Sequence, residues 1–485
     1  MLPSELVLAI VETISEQDPL FRSTLLALTR AFPGLPANHL LFQRIELDHA
    51  EQVVHLTRRL VQSDWRDIVN YTREFKWHGW MVDADLIVNI LAKFPMLRSL
   101  DLWIGTHFSP EHLTDIFQKP RPGLEYLSLR FRPYVQKANY LPFLKGSFFD
   151  STLLCLAKWP HTTLPTLSIV QDAIPESDTP TKFAQPIVFH TLDSSLPIFS
   201  QSAVLSNLTS LRFCLPARPM AIPLTNSPRS LPSLEMLDLS TCTVFGAELT
   251  DTLLVNLSRL KHVILDNGAL LRGEFHADDW AVLGKGCALA GVKRARDRER
   301  KLKQARLAAT VETAPRQPRA AKAGRKGLST AKISLRPSPP REDATPHVSS
   351  TLSPLLLARI RVWPAVPSLR SFATTLAPSV SPTKHAEIRE NFSRGWREGL
   401  AQLIQTRSRL YQAYRMGSAT VMRFAQEPLG SSDQDNELNG LVEVIEWDEN
   451  VEEMGVPVLC FAGRHNAAAH EAGCAHSFAW EAWKE

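Results

Sequence analysis

The sequence predicts an α/β chain built around an irregular solenoid of short strand-and-helix repeats. A small helical module opens it. A disordered basic and proline-rich linker and a helical C-terminal extension close it. Three observations carry this. A fixed leucine spacing recurs through the middle of the chain. The first 47 residues place apolar side chains at helical steps. Beyond about residue 290 the composition turns basic and then rich in proline.

The leucine spacing has the form L-x-x-L-x-L. It occurs at Leu97, Leu100 and Leu102, at Leu124, Leu127 and Leu129, at Leu164, Leu167 and Ile169, at Leu208, Leu211 and Phe213, at Leu234, Leu237 and Leu239, and at Leu260, Val263 and Leu265. The central residues lie 27, 40, 44, 26 and 26 apart. In a strand, alternate side chains share a face, so Leu100 and Leu102 enter one core. The intervening pieces, such as 83–94 and 110–118, pattern as helices. No unit can bury its own apolar face, so units stack. This is the grammar of a leucine-rich-repeat-like array, placed at 48–290. Phe75-x-Trp77 reads as an earlier strand, 25 residues before Leu100. The two long gaps hold either insertions or a degenerate repeat. The ladder asparagine of regular repeats is missing after Leu102, where Trp103 follows; Cys242, after Leu239, fits the cysteine variant. Uneven curvature is expected.

The opening module, 1–47, starts with Leu2, Pro3 and Glu5, and apolar residues follow in steps of four at Leu6, Ile10 and Ile14. Pro3 and Glu5 suit a helix N-terminus. A second run holds Leu25, Leu26, Leu28 and Phe32, and residues 39–47 close the unit. So few residues bury too little surface to stand alone, so the module is expected to dock. The opening Leu2-Pro3 with Glu5-Leu6, the segment Leu25–Phe32 and the closing Leu41–Leu47 together resemble the F-box of fungal proteins, the adaptor-binding module of SCF-type ubiquitin ligases. The middle segment lacks the family's cysteine and tryptophan, and Pro19 and Pro33 interrupt stretches that are often plain helix in the family. The resemblance implies a Skp-type adaptor and a cullin ligase as partners, with Leu2, Pro3, Leu6, Ile10 and Leu25 as the adaptor-binding residues. It also implies a protein substrate on the concave face of the array.

The net charge of +4 hides segregation. Residues 285–341 carry 17 Lys and Arg against three acids, a net of +14, so the rest of the chain nets −10. Within the linker, 291–382, the first part reads as a solvated basic helix in preference to a nuclear import signal or a nucleic-acid contact. No aromatic residue lies between Trp280 and Trp363 to stack on bases. Eleven of the 34 prolines fall in 315–382, and this part is expected to be largely disordered. Two islands stand out in it. Residues 355–363 are apolar and could dock on the array, and 367–372 resembles a worn final repeat. Residues 383–418 form an amphipathic helix with Ile388, Phe392, Trp396, Leu400, Leu403, Ile404, Tyr411 and Tyr414 on one face. Gly395 and Gly399 each weaken it by about 1 kcal/mol.

The remainder, 419–485, is an acidic segment followed by a tail with Cys460, His465, His470, Cys474 and His476. That spacing matches no common zinc finger, so the tail reads as a hairpin or loose end, with no metal and no cofactor assigned. The six cysteines are scattered and read as reduced thiols of a cytoplasmic or nuclear protein. Residues 1–14 lack a basic start, and no stretch is apolar enough to span a membrane, so neither a secretory signal nor a membrane partner is expected. No phosphate loop, nucleophile elbow or H-E-x-x-H motif is present, and the acid pairs Asp83/Asp85 and Asp278/Asp279 form no recognisable catalytic or metal-binding constellation in sequence. The expectation is a non-enzymatic substrate-recognition subunit. Two alternatives stay open: a protein-binding scaffold with a decayed F-box, and a nuclear nucleic-acid-binding protein using 291–341.

Overall fold

The computed structural model describes Leu6 and residues 21–31, 38–62, 66–132, 148–160, 164–172, 187–227, 230–268, 277–313, 360–376, 380–424, 441–444, 447, 454–464 and 469–484. In chain order the strands are β1 (Arg44–Leu47), β2 (Glu74–Trp77), β3 (Ser99–Ile104), β4 (Tyr126–Phe131), β5 (Thr166–Gln171), β6 (Ser210–Cys214), β7 (Met236–Asp238) and β8 (His262–Ile264). They continue with β9 (Ile360–Val362), β10 (Ser371–Ala373), β11 (Thr420–Phe424), β12 (Leu441–Glu443) and β13 (Val458–Cys460). The residues divide into two units. One comprises 1–293, 366–403 and 449–485, and the other 294–365 and 404–448.

In the first unit ten strands form one sheet in the order β1 to β8, then β10 and β13. Every pairing is parallel, and the partners run in one register. Ile45, Phe75, Leu100, Leu127, Leu167, Leu211, Leu237, Val263, Phe372 and Leu459 stand opposite one another in turn. All ten are buried in one apolar core. Burying such a side chain contributes about 2 kcal/mol, and a one-residue slip would turn each of them to the opposite face, so the leucine spacing fixes the register. This is a leucine-rich-repeat-like array. The strands β4, β5 and β6 pair directly, so no further strand of the sheet lies between them and the two long gaps read as insertions within repeats.

Helices return the chain between strands. Asp83 accepts from the Asp85 amide to open Ala84–Lys93, and Ser109 precedes Pro110–Phe117 with proline in the first turn. Successive repeats then finish one another's helix ends. Arg121 donates to the carbonyl of Phe94 (2.7 Å), just past the Ala84–Lys93 helix, and to that of Leu91 (2.9 Å), which also accepts from the Phe94 amide. Trp159 Nε1 donates to Phe117 O at 2.7 Å. The Asp150 carboxylate accepts from the amides of His190 and Thr191, both at 2.8 Å, ahead of the Leu192–Ser200 helix. Cys242 takes the ladder position its spacing suggested. Its thiol donates to Phe213 O (3.1 Å) and accepts from the Leu215 amide (3.2 Å), and burial pushes it up to about 12.

The chain leaves the sheet twice, between β8 and β10 and between β10 and β13. The first excursion includes helices Ala277–Ala288 and Ala290–Thr313, and the second includes Pro382–Arg415. Within the first unit Trp280 and Trp396 are fully buried. The Ala277–Ala288 and Pro382–Arg415 helices meet through glycine. A Cβ on Gly284 would lie 2.2 Å from Phe392 O, one on Gly395 would lie 1.9 Å from Ala281 O, and one on Gly399 would lie 2.7 Å from Ala288 Cβ. These glycines let two backbones touch.

The second unit holds a three-stranded sheet in the order β12, β11, β9. Leu410, Val421 and Val444 form its core, with Trp363, Tyr414 and Trp447 against them. Arg407 donates twice to Pro364 O (3.0 and 2.7 Å) beneath the Trp363 ring. The expected linker is therefore corrected over its described part. Residues 360–376 contain two strands, because β9 finds a parallel partner in β11 and Phe372 has its place in the leucine ladder. The island 355–363 also pairs differently from expectation, since its described end joins β11 and not the repeat sheet.

Candidate functional site

Strand alternation sends the residues flanking each ladder position to the other face of the sheet. One row of that second face runs Glu46, Lys76, Asp101, Ser128, Ser168, Arg212, Asp238, Ile264, Ala373, Cys460 across the strands. It is polar from β1 to β7 and apolar or thiol-bearing from β8 onward. Burial, with Arg44 beside it, holds the Lys76 ammonium below its ordinary value against the opposing pull of Glu46, Asp101 and Glu74.

The apolar end is covered by the chain itself. Helix Ala475–Trp483 carries Ala475, Ala479 and Trp483 in steps of four, so all three lie on one helical face. They pack with Cys474 on Met236, Ile264, Ala373 and Cys460. The far end of the helix is held by Tyr126, whose hydroxyl donates to Trp483 O at 2.9 Å, and by Lys484, 3.8 Å from Glu74. At the near end His476 Nε2 lies 2.7 Å from Asp266 Oδ2. Arg464 and Arg212 flank the fully buried Asp238 at 3.4 and 3.5 Å, and the Ser240 amide donates to it at 2.9 Å. A carboxylate this deep requires such partners, and they tie the tail to the sheet.

The polar end is open. His78 and Trp80 each stack on Trp103, with ring centres 5.1 and 4.6 Å apart. Arg130 lies over Trp103 and Arg132 over Trp80, both at 5.1 Å. Asp101 Oδ2 lies 3.1 Å from His78 Nε2, and Arg130 Nε donates to Asp172 at 2.7 Å. Gly105 makes room for this: a Cβ there would sit 1.8 Å from Trp80 O. Exposed contacts of this kind contribute about 1 kcal/mol or less each to folding. Tryptophan and arginine held rigid at a surface are instead what protein interfaces use as anchors. At the opposite, N-terminal ends of these strands a cleft of about 340 Å³ is lined by Gln43, Arg73, Glu74, Arg98, Ser99, Glu125 and Lys484. Its lining has no nucleophile paired with a base.

The sequence did not single out these surface residues, apart from Trp103 as the missing asparagine. Their only signal is position, three or five residues along from the ladder on β2 to β4. Of the residues expected to bind an adaptor, Leu6 is exposed and Leu25 is 1% exposed, inside the helix Phe21–Ala31, where it shapes the module from within. Leu2, Pro3 and Ile10 lie outside the described residues.

Two groups could hold a metal among the described residues. Glu46, Asp48 and His78 offer oxygen and nitrogen atoms at the open end, and Cys460, His470, Cys474 and His476 converge at the covered end. His465 lies outside the described residues. Cys460, His476 and Asp266 also follow the order of a thiol triad, yet their exposures are 1, 1 and 3%, which leaves a substrate no approach to the sulfur.

No family model matches this chain, and no curated protein matches it. Among solved structures, an internalin from Listeria monocytogenes is similar at 17% identity and a TM-score of 0.22, over 45% of this chain and 60% of that one. The chain thus spans less than two thirds of the internalin's length, and the repeat assignment rests on the ten-strand register alone.

Proposed function

We propose that the chain is a protein-binding repeat scaffold that presents the second face of its sheet to a partner protein. The observation that carries this is the rigid patch of Trp80, Trp103, Arg130 and Arg132 at the uncovered end of the array. We further propose that the scaffold serves as a substrate receptor, with the N-terminal module binding a Skp-type adaptor of a cullin ligase. The F-box-like residues Leu2, Pro3, Leu6 and Ile10 support this, and the exposure of Leu6 is compatible with it. On this reading the chain does no chemistry. It raises the local concentration of ubiquitin-charged enzyme around a bound protein in the cytoplasm or nucleus.

The test is binding of the full chain to purified Skp-type adaptor. Micromolar binding that is lost in Leu2→Ala/Pro3→Ala is expected. No binding by the native chain would leave the scaffold and remove the ligase role. Capture of a partner that survives in Trp103→Ala would move the partner site elsewhere.

A further inference from the structure

Cys460 ends the last strand of the sheet, Cys474 caps the C-terminal helix, His476 lies in that helix's first turn, and His470 sits in the loop between. One donor atom from each lies within 4.8 Å of all the others. The His470 Nδ1 atom is 3.6 Å from Cys460 Sγ and 3.4 Å from Cys474 Sγ. In a tetrahedron with metal–sulfur bonds of about 2.3 Å and metal–nitrogen bonds of about 2.05 Å, the sulfur–nitrogen edge is about 3.55 Å. Both observed edges fall within 0.2 Å of it. We propose that Cys460, His470, Cys474 and His476 are the four ligands of one structural zinc ion, which clamps the C-terminal helix to the end of the sheet.

Two further observations support the assignment. His476 is 1% exposed and its Nδ1 has no hydrogen-bond partner, while Nε2 is engaged by Asp266. A carboxylate on the far nitrogen is how metal-binding imidazoles are commonly oriented. Cys460 and Cys474 are 1 and 0% exposed, and two thiolates with a dication are neutral overall, which resolves the cost of burying them. Two sulfurs and two imidazoles in a closed shell select zinc over the hard cations.

The experiment is elemental analysis of the full chain purified without chelators. About one zinc per chain is expected, falling below about a tenth in Cys460→Ser and Cys474→Ser and unchanged in Cys155→Ser. If the serine variants fail to fold, cobalt replacement in the native chain gives the second reading, with tetrahedral ligand-field bands and a thiolate charge-transfer band expected. A strong chelator should speed amide exchange across 475–483 and leave β3 to β5 unchanged. Zinc below about a tenth of an equivalent after reconstitution, metal retained in both serine variants, or a Cys460–Cys474 disulfide in the intact mass would each overturn the site. Unchanged exchange with zinc bound would overturn the clamp. None of these outcomes depends on adaptor binding.

Discussion

His262 begins β8 on the second face, with Nδ1 2.7 Å from Ser371 Oγ and its ring 4.2 Å from that of Phe478. Burial, helped by Lys261 and Arg370 and opposed by Glu235, lowers it to about 4. A histidine whose folded value is lowered takes up a proton more readily when unfolded. Its contribution to stability is therefore complete above about pH 6.5 and declines as pH falls toward 4. Denaturation midpoints at pH 7 and pH 5 should separate more for the native chain than for His262→Asn; equal separation would show that the ring does not sense its packing. Single residues were unevenly legible. Cys242 could be read because its role depends on a fixed offset from Leu239. Trp103 was read only as a missing asparagine, because alternation states which face a side chain takes but not that Trp80 and Arg130 will meet it there. The convergence of Cys460 with His470, Cys474 and His476 depends on the path of the intervening loop, which spacing alone does not encode.

At the level of elements, the crossing of Ala277–Ala288 and Pro382–Arg415 reverses a simple expectation. Alanine is about 1 kcal/mol better than glycine inside a helix, so Gly395→Ala should stabilise an isolated helix. Here the added methyl meets the Ala281 carbonyl, and the backbones must part. Gly395→Ala is expected to cost about 1–3 kcal/mol in urea unfolding, with the m-value unchanged. A stabilised variant would mean that the two helices do not touch. The long helix itself was legible from its apolar stripe, over 383–418 against the observed Pro382–Arg415. The six leucine-marked strands were legible for the same reason. The stretch 367–372, read as a worn repeat, supplies β10, while two others were hidden by a filter set to leucine: Phe42-x-x-Ile45-x-Leu47 and Val456-x-x-Leu459-x-Phe461 obey the spacing with other apolar residues. The spacing is a property of the backbone register, which any buried apolar side chain satisfies.

For the first unit as a whole, the ten-stranded sheet carries a cover on its own second face. The Tyr126 hydroxyl bonds to the helix end contributed by Trp483 from across the sheet. Tyr126→Phe removes that one bond, worth about 1 kcal/mol, and should raise local opening of 480–483 about fivefold in hydrogen exchange while the strand amides keep their protection. Equal protection in both proteins would show that the cover is held elsewhere. Among the described residues the cover leaves the aromatic and arginine patch partly exposed.

The direct pairing of β8 with β10 and of β10 with β13 has a bearing on biosynthesis. The first eight strands can add to the sheet one after another as the chain leaves the ribosome, each within a few dozen residues of its predecessor. Val263 must then wait 109 residues for Phe372, and Phe372 another 87 for Leu459. Contacts that distant in sequence form slowly, and during the wait the edge at β8 presents unpaired backbone. This stretch of translation is when a nascent chain of this kind most needs chaperone protection, and a stop codon between β8 and β10 would leave that edge open for good.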